Sequence, residues 1–453
     1  MRKVFTRVAT AVLLSVAALV TNAQEVAYQL VIPDDPVTNH IELTKNEDGS
    51  YTIHFVGNDP FIQLAALTRD LTDEETYLTY EYQLDQKINS DMEIFFSPIT
   101  GGRSLNYGAC LPTTGDEWKE MNIDISAKRT EYNWGHKGDY LRFDMGWGSD
   151  KTLTVRNLRI RKLPIDTNEV YQIGTAEQLN EFMNLVNGGL QSMSACLTAD
   201  IDFSNYSNRF LYMKGNLDGQ GHTITINYNM TDGNAALIEH LYGQVSNLKV
   251  SGNIVTSSVN AAGIAAHINN GTISNCVCDV NITSTYEGSA TDGGIVAEVS
   301  NPSLIENTIF CGQLNGETTT ASGGIIGWAS SRITIKNCLY IGESTMGKDN
   351  SDTFGRNHGN VNVINSYYLK SFGGVPESAT QLSGSEAVSN GEACYLLNGD
   401  QQDIQWYQTL GKDATPVPFA YGDHAKVFAS GDLRCDGSLL EGGNVTFSNT
   451  GGT

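Results

Sequence analysis

Five short segments recur through the middle of the chain at nearly constant spacing, and this limits the fold more than any other feature. They are Val245-Ser-Asn-Leu-Lys-Val-Ser-Gly252, Ile273-Ser-Asn-Cys-Val-Cys278, Ile305-Glu-Asn-Thr-Ile-Phe-Cys-Gly312, Ile335-Lys-Asn-Cys-Leu-Tyr-Ile-Gly342 and Val363-Ile-Asn-Ser-Tyr-Tyr368. Each has an aliphatic residue two places before an Asn. The Asn residues stand at 247, 275, 307, 337 and 365, in steps of 28, 32, 30 and 28. One such unit is too small to bury its own apolar face, whereas stacked units bury a continuous column. The spacing predicts a right-handed parallel β-helix of about six coils over residues 196–370. Val245, Ile273, Ile305, Ile335 and Val363 should form an interior ladder, and the Asn residues a second one. Gly263-Ile-Ala-Ala266, Gly293-Gly-Ile-Val-Ala297 and Gly323-Gly-Ile-Ile-Gly327 repeat in register, and their glycines are expected to let the chain turn sharp corners. Leu217 to Thr225 should form an opening coil.

Ahead of the repeats, Pro164 to Asn168 breaks the strand pattern, and residues 164–195 read as a linker and capping helix. Thr175 is a good N-cap with Gln178 at capping-box spacing, Leu179, Phe182, Leu185 and Val186 form an apolar stripe, and Gly188-Gly189 ends it. Such a helix can cover the open edge of a strand stack.

Residues 24–163 alternate with the period of strands. Leu78, Tyr80, Tyr82 and Leu84 share one face of a run, as do Met92, Ile94 and Phe96, and Leu141, Phe143 and Met145. Turn signals at Asn58-Asp-Pro60, Gly101-Gly102 and Thr114-Gly-Asp116 separate the runs, which implies a β-sandwich. The fold class is therefore all-β. Aromatic residues in its Gly-rich loops are candidates for stacking on a sugar: Tyr132, Trp134, His136 and Trp147, with Arg103 and Asn106 placed to bond hydroxyls. The competing reading makes the tryptophans core plugs.

The first 23 residues read as an export signal. Arg2, Lys3 and Arg7 precede an apolar stretch from Val8 to Val20, and Ala23 offers a small residue before Gln24. The apolar stretch is too short for a membrane span, and no later one reaches the ~18 residues a span needs. Export places the chain outside the cell, on its outer surface or in the periplasm. With 28 basic against 51 acidic residues, a net charge of −23, nucleic acid is a poor partner. Of the eight cysteines, Cys276, Cys278, Cys311 and Cys338 lie in strand-like runs and read as buried apolar thiols. Residues 371–453 read as a C-terminal cap and tail, with Trp406 and Tyr407 packed under the last coil.

The repeated blocks resemble the GLUG-type repeats of secreted and surface proteins from Bacteroidetes and other bacteria. Leu197 to Phe203, Asp218 to Ile224 and the cap helix resemble the usual start of such regions, and Cys394 to Asp400 with Trp406 to Gly411 a segment that often follows them. Gly263-Ile and Gly294-Ile depart from the family's Gly-Leu core. The N-terminal region resembles the jelly-roll, galactose-binding-like modules of secreted bacterial proteins, through its strand order and the closing Leu158-Arg-Ile-Arg161.

Many parallel β-helices cleave polysaccharides, so an enzyme is the rival reading. The Asn-Thr-Asp and Asp-Asp motifs of pectinase-like hydrolases are absent from the repeat region, and Asn357-His358-Gly359 only faintly resembles their histidine motif. Lyases of this shape use Ca²⁺ held by Asp side chains; Asp200 and Asp202 share a strand face, and Ca²⁺ is the one cofactor left open. The expectation is a non-catalytic protein that binds a glycan or another host or cell-surface ligand, in the manner of an adhesin. The alternatives are a β-helix lyase or hydrolase and a structural spacer.

Overall fold

A computed structural model describes residues 27–450 apart from Asn89, Asp91, residues 108–110, Pro112, Asp232, Asp400, Gln402 and Ala420. The expected export signal and Cys110 lie outside the described residues.

Alternation builds the N-terminal sandwich from two antiparallel sheets. One runs Ile41–Lys45, Tyr51–Phe55, Thr152–Arg161, Tyr77–Leu84 and Lys119–Asp124, with Ala27–Gln29 also pairing Thr152–Arg161. The other runs Thr38–Asn39, Phe61–Gln63, Leu141–Asp144, Glu93–Phe96 and Ser104–Asn106. Leu78, Tyr80, Tyr82 and Leu84 are buried from one sheet, and Ile94, Phe96, Leu141 and Phe143 from the other. A short helix that alternation did not predict, α1 (Ser126–Tyr132), follows the strand Lys119–Asp124 and ends at Asn133 with φ 47°.

The second helix, α2 (Ala176–Asn187), is the one expected. The Thr175 side chain accepts a hydrogen bond from Gln178 N, and Gln178 Oε1 reaches back to Gly174 N at 2.7 Å. Leu179, Phe182, Met183 and Val186 are buried; Met183 takes the place foreseen for Leu185, which is only half-buried. The helix joins the solenoid core, and Asn122 of the sandwich donates its N–H to Gly188 O at 2.6 Å.

The repeats wind as a parallel β-helix with three faces. The first has eight strands among the described residues: Tyr171–Ile173, Ala195–Leu197, Asn216–Asp218, Gln244–Ser246, Thr272–Ser274, Ser303–Glu306, Ile333–Lys336 and Val361–Ile364. The stack is longer than the six coils expected, because its first coils lack the Asn that marks the later ones. Val245, Ile273, Ile305, Ile335 and Val363 stand in register on this face, and all are buried.

Two features turn the corners, and their roles differ from those expected. Asn247, Asn275, Asn307, Asn337 and Asn365 hold left-handed backbone, with φ of 51°, 53°, 46°, 52° and 42°. Asn tolerates that region better than other non-glycine residues. The paired glycines do not supply positive φ. They are required by close approach: a Cβ at Gly293 would lie 1.9 Å from Val296 O, and one at Gly323 would lie 1.8 Å from Ile326 O.

Trp406 is buried, in a cluster against which Tyr367 of the last coil also packs. This separate apolar cluster includes Val277, Ile309 and Leu339, residues of three successive coils that share one register on the second face. The helix α3 (Glu392–Asn398) joins this cluster, and Asn365 donates to Leu396 O and Leu397 O at its end. Tyr421 then packs on Gly221 of an early coil, where an added Cβ would lie 2.4 Å from the Tyr421 Cβ. The C-terminal segment is a strap along the flank.

The seven described cysteines are free thiols. Burial pushes Cys276, Cys338 and Cys394 up to about 12, so they stay protonated and inert at neutral pH.

Candidate functional site

The outer face of the five-stranded sheet carries a compact cluster of charged and aromatic side chains. Because Leu141 and Phe143 point inward, Arg142 and Asp144 of the same strand point outward. Register sets Arg142 across from Gln63 and Phe95, and Asp144 across from Phe61 and Glu93. Arg142 Nε and Nη2 donate to the two Asp144 carboxylate oxygens, each at 2.7 Å. The same guanidinium lies over both phenyl rings, 4.5 Å from the Phe61 centroid and 4.2 Å from that of Phe95. Burial raises the Asp144 pKa, tempered by Arg142 and reinforced by the negative charges of Asp59 and Glu93. At the edge strand, Asn39 holds Asp59 through its carbonyl at 2.8 Å and its carboxylate at 3.2 Å. A bidentate ion pair clamped by two ring faces loses little entropy on meeting a ligand, and offers donors, acceptors and apolar surface side by side.

Of the six residues expected from sequence, two border this face. Asn106 is exposed and stands in register with Glu93. Trp147 is 70% exposed; it follows Asp144 by three residues, and its N–H bonds Ser90 Oγ just ahead of Glu93. The others gather elsewhere. Arg103 donates to Ser97 O and Tyr132 O, and its guanidinium covers the Tyr132 ring at 4.9 Å. The Tyr132 hydroxyl donates to Gly102 O at 2.9 Å. Trp134 corrects the expectation of a sugar-stacking ring: it is buried, meets Phe96 edge-to-face at 5.3 Å, and donates Nε1–H to Tyr140 O. The hydrophobic gain from burying an indole decides its place. His136 is exposed, with Nδ1 3.7 Å from Asp70.

Phe61, Phe95, Arg142 and Asp144 escaped the sequence reading. Their signal was present in the alternate residues of Glu93-Ile-Phe-Phe96 and Leu141-Arg-Phe-Asp144, whose inward members alone were used to predict the core.

The third face of the solenoid carries a separate ladder. Tyr212, His240, His267, Glu298 and Trp328 stand in one register on successive coils. Tyr212 stacks on His240 at 4.6 Å, and His240 on His267 at 4.7 Å. Burial, the neighbouring His267 and the charge of Lys87 push His240 down to about 4. Lys87, from the sandwich, sits 3.9 Å from the buried Glu239 and so joins the two units. The first-coil carboxylates do local work: Asp202 binds Ser204, and Asp200 binds the Thr223 N–H and His222. Among the described residues no group of three or more His, Cys, Asp or Glu side chains is placed to hold a metal ion. Nor is any described helix long and apolar enough to cross a membrane.

No family model matches the chain, and no curated protein does. Among solved structures, that of a candidate immunoglobulin A1 protease from Bacteroides ovatus is 19% identical, covering 57% of this chain and 94% of that one, with a TM-score of 0.42. A mutant family 29 carbohydrate-binding module complexed with cellulohexaose is 15% identical, covering 30% of this chain and 90% of its own, with a TM-score of 0.22. Another, complexed with mannohexaose, is 12% identical, covering 30% and 91%, with a TM-score of 0.21.

Proposed function

We propose that this is an exported, non-catalytic glycan-binding protein of adhesin type, with its sugar site on the outer face of the five-stranded sheet. The observation that carries this reading is the layer Phe61–Arg142–Phe95, pinned by Asp144. Sugars present an apolar C–H face and a rim of hydroxyls, and this layer supplies partners for both. Asp59, Glu93 and Asp144 make the face electronegative, which favours a neutral glycan over an acidic one. An open sheet face, not a deep pocket, suits an extended chain. Export rests on the basic start and apolar stretch of residues 1–23.

The test is retention of the purified chain on a panel of plant, mucin and microbial glycans, with and without Ca²⁺. Retention on a neutral glycan, lost in a Phe61→Ala/Phe95→Ala double variant, supports the reading. Retention on none favours a spacer. New reducing ends or unsaturated products overturn the non-catalytic assignment.

A further inference from the structure

The ladder on the third face ends at a pocket that the sandwich site does not involve. It has a volume of ≈ 390 Å³ and is lined by Trp328, Asn350, Asp352, Arg356 and His358, with Ser289 at its border. Such a volume falls within the range of small-ligand sites.

Three features give the pocket its chemistry. Arg356 Nη1 donates to Ala290 O at 3.0 Å and also to Ala321 O, while the guanidinium lies 4.9 Å from the Trp328 ring. The side chain therefore reaches back over two earlier coils and is held there before any ligand arrives. It has no carboxylate within ion-pair distance among the described residues, although Arg69, Arg142, Arg156 and Arg209 all do. Asp352 does not cancel this charge. Its carboxylate is buried, accepts the N–H groups of Phe354 and Gly355 at 2.8 and 2.9 Å, and is bonded by His358 Nε2. The His358 ring itself stays half-exposed at the rim, with a side-chain exposure of 55%.

We propose that this pocket binds the carboxylate of an acidic sugar. A planar guanidinium matches a carboxylate by paired hydrogen bonds, half-buried Trp328 supplies an apolar wall, and the Asn350 amide and the His358 ring face the hydroxyls. Net charge narrows the ligand. A chain at −23 repels long polyanions, so one local cation suits an isolated acidic residue in an otherwise neutral glycan.

The experiment uses the full chain and calorimetry, with two matched pairs of probes. Glucuronic-acid-substituted xylo-oligosaccharide is compared with the unsubstituted oligosaccharide, and sialyllactose with lactose. Tighter binding of either carboxylated member supports the site and separates a uronate from a sialate ligand; equal or absent binding in both pairs overturns it. Arg356→Gln should reduce the preference for the carboxylated member over its neutral partner at least tenfold, and Phe61→Ala/Phe95→Ala should leave that preference in place while weakening both members alike. The reverse pattern assigns the acidic sugar to the sandwich and overturns the proposal. Because Arg356 also anchors two carbonyls, competition on the unmodified protein gives a reading free of folding. Free glucuronate should compete where free glucose does not, and equal competition by both overturns the site.

Discussion

Asn365 donates its side-chain amide to Asn337 Oδ1 at 2.9 Å, one coil earlier, and both residues hold left-handed backbone. Asn275 repeats the bond to Asn247 at 3.2 Å, and Asn247 passes it to Asp218 at 2.9 Å. One residue type thus serves two ends: it turns the chain, and it ties the turn to its neighbour.

The corner Asn residues separate these two effects. Asn307 has φ 46° but a buried Oδ1 with no hydrogen-bond partner among the described residues. Asn307→Ala should cost about 1–2 kcal/mol from left-handed strain, whereas Asn307→Gly should cost less, as glycine carries no such strain. Thermal unfolding of the two variants checks the order.

The interior ladder predicts a larger loss. Ile305 is fully buried between Ile273 and Ile335. Ile305→Ala should destabilise by roughly 2–5 kcal/mol through lost contacts and the cavity left behind. A denaturant midpoint that does not move would contradict the stacked column.

Gly323 and Gly359 form a matched pair. An added Cβ meets backbone oxygen at 1.8 Å in the first and nothing within 4 Å in the second. Gly323→Ala should sharply lower the melting temperature or prevent folding, and Gly359→Ala should leave it within a degree or two, roughly what a substitution of ±0.5 kcal/mol allows.

Asp292 makes stability depend on pH. Burial raises its pKa from 3.8 to about 7, against a smaller opposing pull from Ser284 and the backbone of Ala261. Between these values the unfolded chain gives up the proton while the folded chain keeps it. Folding therefore weakens as pH rises through that window, by roughly 1.4 kcal/mol per pH unit. Asp292→Asn should be more stable than the parent at pH 8, with the gap closing towards pH 4. His240, pushed down to about 4, acts with the opposite sign as pH falls from 6.5, so the difference between variant and parent is the quantity to follow.

On the sandwich, Trp134 and Phe61 should behave differently. Trp134→Ala removes a buried ring and should cost about 3–5 kcal/mol. Phe61→Ala/Phe95→Ala strips half-buried rings from an outer face and should abolish glycan retention with little change in melting temperature.

The solenoid was legible because its interior residues repeat: a column of Val and Ile at fixed spacing has few other folded explanations. The identity of the corner-forming residue was not. Glycine near a bend suggests positive φ, but here glycine answers to crowding and Asn to curvature, a difference that needs coordinates. The sandwich core was legible from alternation, yet its outer face was not. Phe61, Phe95 and Arg142 gain meaning only when antiparallel register sets them side by side across 81 residues of sequence, the interval from Phe61 to Arg142. Trp134 misled because an aromatic ring in a Gly-rich loop can turn either way, and burial of its ring decided.

A row of near-identical rungs ordinarily frays from its ends, each rung parting from the next with little effect on the rest. The C-terminal strap changes that. It shares an apolar cluster with Val277, Ile309 and Leu339, is tied to Asn365 through α3, and reaches Gly221 through Tyr421. Peeling any one rung must first lift a belt that grips many. Separation of the rungs that the strap touches is thereby coupled, so they should open together and not one at a time.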